Sequence, residues 1–271
     1  MGRLTIFAKG NVDVRDSLHA LKRDGKVLWN GINEVVRARF PGSLVRVRHE
    51  IFTRSDALLA AGGTIPASLA HRRLPLAPYT PAAQFSRAVF EADADVVVLS
   101  LLQEATVTML RHRREGYLLY ANNTEAWDVA DRDWIRDEFV FAGALDVDAS
   151  IGNLAAIVAR IRERSDVPIL IYNVSSVVPG DQVHCHQGLE EIFSTRARRF
   201  NLGLIDLSQR SGISVIDVDT IVARAGADRV KLDAVHLTAD GCRLVAEEVV
   251  RVLDDFGCFS PAEAGGCASA S

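Results

Sequence analysis

An aspartate three residues before a histidine can set its carboxylate against one imidazole nitrogen, fix the tautomer and leave the other nitrogen as a general base. Asp233 and His236 stand at that spacing in Lys231-Leu232-Asp233-Ala234-Val235-His236-Leu237-Thr238-Ala239-Asp240-Gly241. A bare D-x-x-H is common on protein surfaces. This one runs on as D-x-x-H-L-T-x-x-G into an amphipathic segment that begins near Asp240, and the longer string is far more specific. A second cluster, His184-Cys185-His186, offers soft ligands, but extended backbone sends the two histidines to one side and the cysteine to the other. That is half a metal site with no second half in the chain, so it reads as a polar loop, and no metal is assigned. Gly62-Gly63 lacks the Lys and Ser/Thr of a phosphate loop, and neither Gly10 nor Gly152 opens a dinucleotide fingerprint. No cofactor is expected.

These residues need a scaffold, and the apolar runs supply it. Leu4 to Ala8, Leu44 to Val47, Val96 to Leu101, Val167 to Tyr172 and Ile213 to Val218 are rich in Val, Ile and Leu with little alternation. Strands of that kind suit a parallel sheet covered on both faces. Helical spacing lies between them. Ile32, Val35, Val36 and Phe40 end at Pro41-Gly42, and Ile151 to Ile161 has Asp148 and Ser150 as candidate caps. Leu189 to Ser208 and Leu244 to Leu253 complete the set. The alternation predicts an α/β fold, a flavodoxin-like three-layer sandwich with a central parallel sheet. Ligands gather at the carboxyl ends of such strands, which makes Asn173 a candidate pocket residue.

One domain over 1–259 is expected, followed by a small, polar, disordered tail over 260–271. Residues 105–149, with Tyr117, Tyr120, Trp127 and Trp134, show no strong strand run. They read as an excursion, either one wall of a pocket or a helical flap with core aromatics. The chain has 271 residues and a net charge of -4, against a general nucleic-acid binder. The runs Arg111-His112-Arg113-Arg114 and Arg196-Ala197-Arg198-Arg199 read as solvated helix faces. No run approaches the ~20 apolar residues that span a bilayer, and the opening MGRLTIFAKG reads as a strand rather than a leader. The expectations are therefore a cytosolic protein, a small-molecule substrate, and no nucleic-acid or membrane partner. Four scattered cysteines suit reduced thiols.

The Asp233–His236 string resembles the last conserved block of the SGNH (GDSL-type) hydrolases, and the order and length of the elements are similar over residues 3 to 256. The resemblance implies hydrolysis or transfer of an acyl group from a small ester or acylated metabolite. In that family a Ser after the first strand attacks the acyl carbon, while a Gly after the second strand and an Asn after the third help bind the oxyanion. Here the first block reads Gly10-Asn11-Val12-Asp13, which puts valine at the nucleophile position. Asp16-Ser17-Leu18 echoes the motif, so Ser17 is the candidate nucleophile if the first loop is long. Its alternative is a polar residue in a short helix from Asp16 to Lys22. Glu50 falls at the oxyanion glycine, and Gln103-Glu104 replaces the Asn block; Gln103 can donate an amide hydrogen bond and an ionised Glu104 cannot.

The site expected from the resemblance has His236 and Asp233 as base and orienting carboxylate, Ser17 as nucleophile, and Gly10, Asn11, Asp13, Glu50, Gln103 and Asn173 around the substrate or its oxyanion. Two other readings stay open. The pair can act on water or a substrate proton without an acyl-enzyme, assisted by Glu50 or Asp13 and conceivably by a metal. Alternatively, the chain binds a partner on an inherited hydrolase frame.

Overall fold

A computed structural model describes residues 2–181, 183, 185 and 189–259. The chain opens with β1 (Arg3–Gly10) and α1 (Val12–Leu18), then a hairpin of β2 (Leu21–Arg23) and β3 (Lys26–Trp29), α2 (Asn33–Arg39) and β4 (Leu44–Ile51). Short helices α3 (Ser55–Ala60), α4 (Ala67–Ala70) and α5 (Pro81–Gln84) lead to β5 (Val96–Ser100) and α6 (Leu102–Thr106). A second excursion holds β6 (Met109–His112), β7 (Leu118–Leu119), α7 (Val129–Glu138) and β8 (Phe139–Gly143). Next come α8 (Val147–Arg162), β9 (Ile169–Tyr172), α9 (Phe193–Ser211), β10 (Ser214–Ile216), α10 (Val218–Ala225), α11 (Ala227–Val230) and α12 (Ala239–Asp255).

β10, β9, β5, β1 and β4 lie in that order in one parallel sheet. These are the five apolar runs of the sequence, and counted along the chain their spatial order is second, first, third, fourth, fifth. Alternation along β1 shows why the sheet is a middle layer. Ile6 and Ala8 pack towards α1, α2, α10 and α12, whereas Phe7 packs towards α8 and α9. The order reverses between β1 and β5, and a crevice opens outside their carboxyl ends at that switch point.

Several local expectations are corrected. α1 starts directly after β1, so the first loop is short, and the helix expected from Asp16 to Lys22 ends at Leu18. The cap of α8 is Asp146, whose carboxylate accepts from the Ala149 N–H at 2.9 Å, not Asp148 or Ser150. The excursion is no helical flap: β7, β6 and β8 form a three-stranded antiparallel sheet beside α7. Its apolar side packs with the segment before β5, where Leu69, Leu76 and Phe85 join Leu119, Trp127 and Phe139. Arg196, read from the sequence as part of a solvated face, is buried. Among the described residues no helix is long and apolar enough to cross a membrane. The segment 260–271, His184 and His186 lie outside the described residues.

Candidate active site

The loop between α11 and α12 folds as a narrow turn. Lys231 bridges Leu237, the Leu232 N–H donates to the His236 carbonyl at 2.9 Å, and the Thr238 N–H donates to the Val230 carbonyl at 2.9 Å. At its tip the Asp233 carboxylate accepts from the Val235 and His236 N–H groups, each at 2.8 Å. The same carboxylate meets His236 Nδ1 at 2.8 Å through Oδ2 and 3.0 Å through Oδ1. Burial pushes Asp233 up, but the bonds from the two N–H groups, the imidazole bond and the imidazole charge outweigh it and hold the carboxyl below its usual range. The carboxylate is therefore ionised and fixes a proton on Nδ1, leaving Nε2 as the basic atom. His236 Nε2 makes no hydrogen bond among the described residues, and the side chain is 43% exposed. The rest of the string is structural. Thr238 caps α12 through the Gly241 N–H, and a Cβ on Gly241 would meet the Val230 carbonyl oxygen at 2.3 Å.

Ser17 is placed differently from its expectation. It lies near the end of α1, fully buried, with its hydroxyl donating to the Asp13 carbonyl at 2.7 Å and in contact with the Tyr172 hydroxyl at 3.1 Å. The short first loop leaves no way to carry it to the strand end. Asp13, one turn earlier, stands there instead. Its Oδ2 accepts from Ser100 Oγ at the end of β5, across the switch point, while Oδ1 is buried without a partner among the described residues. Burial raises the Asp13 carboxyl above its ordinary range, against the opposing pull of the Ser100 hydroxyl and nearby backbone N–H groups.

The remaining candidates are scattered by their partners. Gly10 ends β1, its carbonyl accepting from the Phe52 N–H at 3.1 Å, and a Cβ there would strike Val14 at 2.6 Å. Asn11 Nδ2 donates to the Tyr79 hydroxyl. Glu50 is tied to the buried Lys9 ammonium at 2.9 Å. Gln103 lies on α6, wholly buried, and neither end of its amide has a hydrogen-bond partner among the described residues. Glu104 accepts from the Ser55 N–H and from the Ser55 and Ser150 hydroxyls at 2.6 to 2.8 Å, and burial pushes it up to about 7. Asn173 uses both ends of its amide, donating to Asp217 at 2.7 Å and accepting from the Asp219 N–H at 3.0 Å. Among the described residues no group of three or more His, Cys, Asp or Glu side chains is placed to hold a metal ion.

Sequence reasoning passed over Lys231, though it opens the key string. It is 4% exposed and reaches back under the dyad, donating to the Ala234 carbonyl at 2.7 Å and the Val177 carbonyl at 2.8 Å. Burial lowers its ammonium to about 8, against the attraction of Asp233 and Asp219. Tyr79 and Ser100 were also passed over. Only contacts across the fold give them meaning.

No family model matches the chain, and no curated protein matches it. Solved structures do. The acetylxylan esterase Axe2 of Geobacillus stearothermophilus superposes with a TM-score of 0.54 at 10% identity, over 96% of this chain and 95% of that one. LAE5, an alpha/beta hydrolase enzyme from the metagenome of Lake Arreo, gives 0.53 at 13% identity over 95% and 97%. The lipase/acylhydrolase of Enterococcus faecalis gives 0.52 at 11% identity over 94% and 97%. The fold expected from the SGNH resemblance is the fold of this chain. Identities this low speak for the scaffold, and chemistry must be argued from the site.

Proposed function

We propose that the chain is a hydrolase or acyl-transfer enzyme for small esters or acylated metabolites, in which the Asp233–His236 pair acts on water or an acceptor hydroxyl without a serine acyl-enzyme. The observation that carries this reading is the formed dyad, with Nδ1 held by Asp233 at 2.8 Å and the ring partly open to solvent, while Ser17 is sealed inside α1. Similarity to an acetylxylan esterase and a lipase/acylhydrolase supports the substrate class.

In this scheme His236 Nε2 takes a proton as the water oxygen bonds to the acyl carbon and the carbonyl electrons move onto oxygen. The imidazolium is stabilised by the ionised Asp233 carboxylate. When the tetrahedral species collapses, the C–O bond to the leaving group breaks and Nε2 returns the proton to the departing oxygen. A base of this kind contributes about 10²–10⁴-fold.

The test pairs turnover of a panel of short-chain acyl esters with fluorophosphonate labelling and peptide mapping. His236→Ala is expected to lower turnover by about 10²-fold or more. Ser17→Ala is expected to keep it, and the wild type to acquire no serine adduct. An adduct on any serine that vanishes with His236→Ala would establish an acyl-enzyme and overturn the scheme.

A further inference from the structure

Against the loop that bears the dyad lies a small cavity between the ends of β1, β5 and β9, walled by Asp13, Leu102, Asn173, Ser175, Lys231 and Val235. Its volume is about 20 Å³, room for one oxygen-sized group. Most of its polar lining is spent. The Asn173 amide is bonded at both ends, and the Ser175 hydroxyl points at the Val177 carbonyl at 3.4 Å. Two groups keep capacity. Asp13 Oδ1 is buried without a partner among the described residues, and the Lys231 ammonium has three protons, of which two go to the Ala234 and Val177 carbonyls.

We propose that Asp13 and Lys231 form an acyl-oxygen subsite, each donating one hydrogen bond to the carbonyl oxygen of the substrate as it becomes an oxyanion. The proposal rests on the hydrolase reading above and names the donors that reading lacks. Burial with no cation bonded favours the protonated form of the Asp13 carboxyl, against the Ser100 hydroxyl and nearby backbone N–H groups that favour the anion. Ser100 already donates to Oδ2, so the carboxyl proton belongs on Oδ1, the atom left without a partner. Lys231, at about 8, stays mostly protonated at neutral pH. Two donors that wall one oxygen-sized space match an acceptor with two lone pairs.

Neither Asn11 nor Gln103 walls this cavity: Gln103 keeps an amide without a partner among the described residues, but it lies buried on α6 outside the lining. Asn11 Nδ2 is given to Tyr79, and Glu50 is bound to Lys9. The loop that carries His236 also carries Lys231 and walls the cavity with Ala234, Val235 and Leu237, so base and acyl-oxygen donor belong to one loop.

The experiment uses the full chain and acetate, the acyl product of an acetyl ester, as the probe. Infrared difference spectra of wild type against Asp13→Asn at neutral pH are expected to show a carboxylic-acid C=O band, which shifts when acetate is added. Calorimetric titration is expected to show acetate binding weakened about tenfold or more by Asp13→Ala and by Lys231→Met. Asp13→Asn, which keeps a donor, is expected to retain most of the affinity. If Lys231→Met does not fold, the band shift and Asp13→Ala decide the matter.

A purely carboxylate band at Asp13, or acetate affinity untouched by Asp13→Ala, overturns the subsite. Ester turnover by the wild type is read in parallel. Acetate binding through Asp13 without turnover would leave the subsite standing and remove the hydrolase reading. Turnover with an acetate affinity indifferent to both variants would do the reverse.

Discussion

Asp13 and Ser17 lie one turn apart on the same side of α1, about 6 Å along its axis, and that step decides their chemistry. Asp13 stands at the strand ends beside Ser100, and Ser17 sits below it between α1 and the sheet, against Tyr172. The letters Asp16-Ser17-Leu18 pointed to a nucleophile because a sequence does not show where a helix begins. The Asp233–His236 pair was legible because its contact is local, three residues apart. Lys231 and Tyr79 were not, since their partners Val177 and Asn11 lie 54 and 68 residues away. The glycine that ends the string is tested at this same scale. Gly241→Ala forces a Cβ against the Val230 carbonyl oxygen, and overpacking of that kind costs about 1–3 kcal/mol. Since α12 must then shift from the loop bearing the dyad, chemical denaturation is expected to show the loss and ester turnover to fall with it. Unchanged stability would mean that α12 moves freely against the loop.

Two buried arginines hold the excursion to the central domain, each by both of its ends. Arg54 Nη1 donates to the Val107 carbonyl at 3.2 Å and the Gly143 carbonyl at 2.7 Å, with Asp56 pairing its other nitrogens at 2.8 Å. Arg196 donates to the carbonyls of Ala105, Glu104 and Leu145 at 2.7 to 3.1 Å. Of the parallel strands, β1, β5 and β9 could be read from the sequence because burial on both faces leaves continuous apolar runs, while the edge strand β4 alternates with exposed Arg46 and Arg48. β6, β7 and β8 could not. They are two to five residues long, with Arg111 on β6 and exposed positions such as Phe141 on β8. Arg196→Ala removes the donor from three carbonyls at once, and leaving a buried acceptor unpaired costs about 1–3 kcal/mol. The excursion is expected to open before the central sheet does, with hydrogen exchange rising over 105–145 while β1, β5 and β9 stay protected. Uniform loss of protection across both would show that excursion and sheet unfold as one unit.

At the scale of the whole molecule, the half-buried His49 and the buried Glu104 set opposing pH limits on stability. Burial lowers His49 to about 4, against its bond to the Gly10 carbonyl, so the folded chain resists protonation there and loses stability as pH falls from about 6.5 through about 4. Glu104 works the other way. Its folded value of about 7 lies above its ordinary 4.5, so the unfolded chain ionises first. The stabilising difference is whole below about 4.5 and is lost as pH rises through about 7. A gap of that size corresponds to roughly 3 kcal/mol. Glu104→Gln has no proton to lose. Relative to wild type its melting temperature is expected to improve by about 5–10 °C between pH ~4.5 and pH ~8, whatever the constant cost of exchanging carboxyl for amide against Ser55 and Ser150. Melts of both proteins across that range give the answer directly. A difference that does not vary with pH would mean that the serine donors hold Glu104 ionised throughout, and the carboxyl would then be a permanent buried charge anchoring the start of α8 to α3.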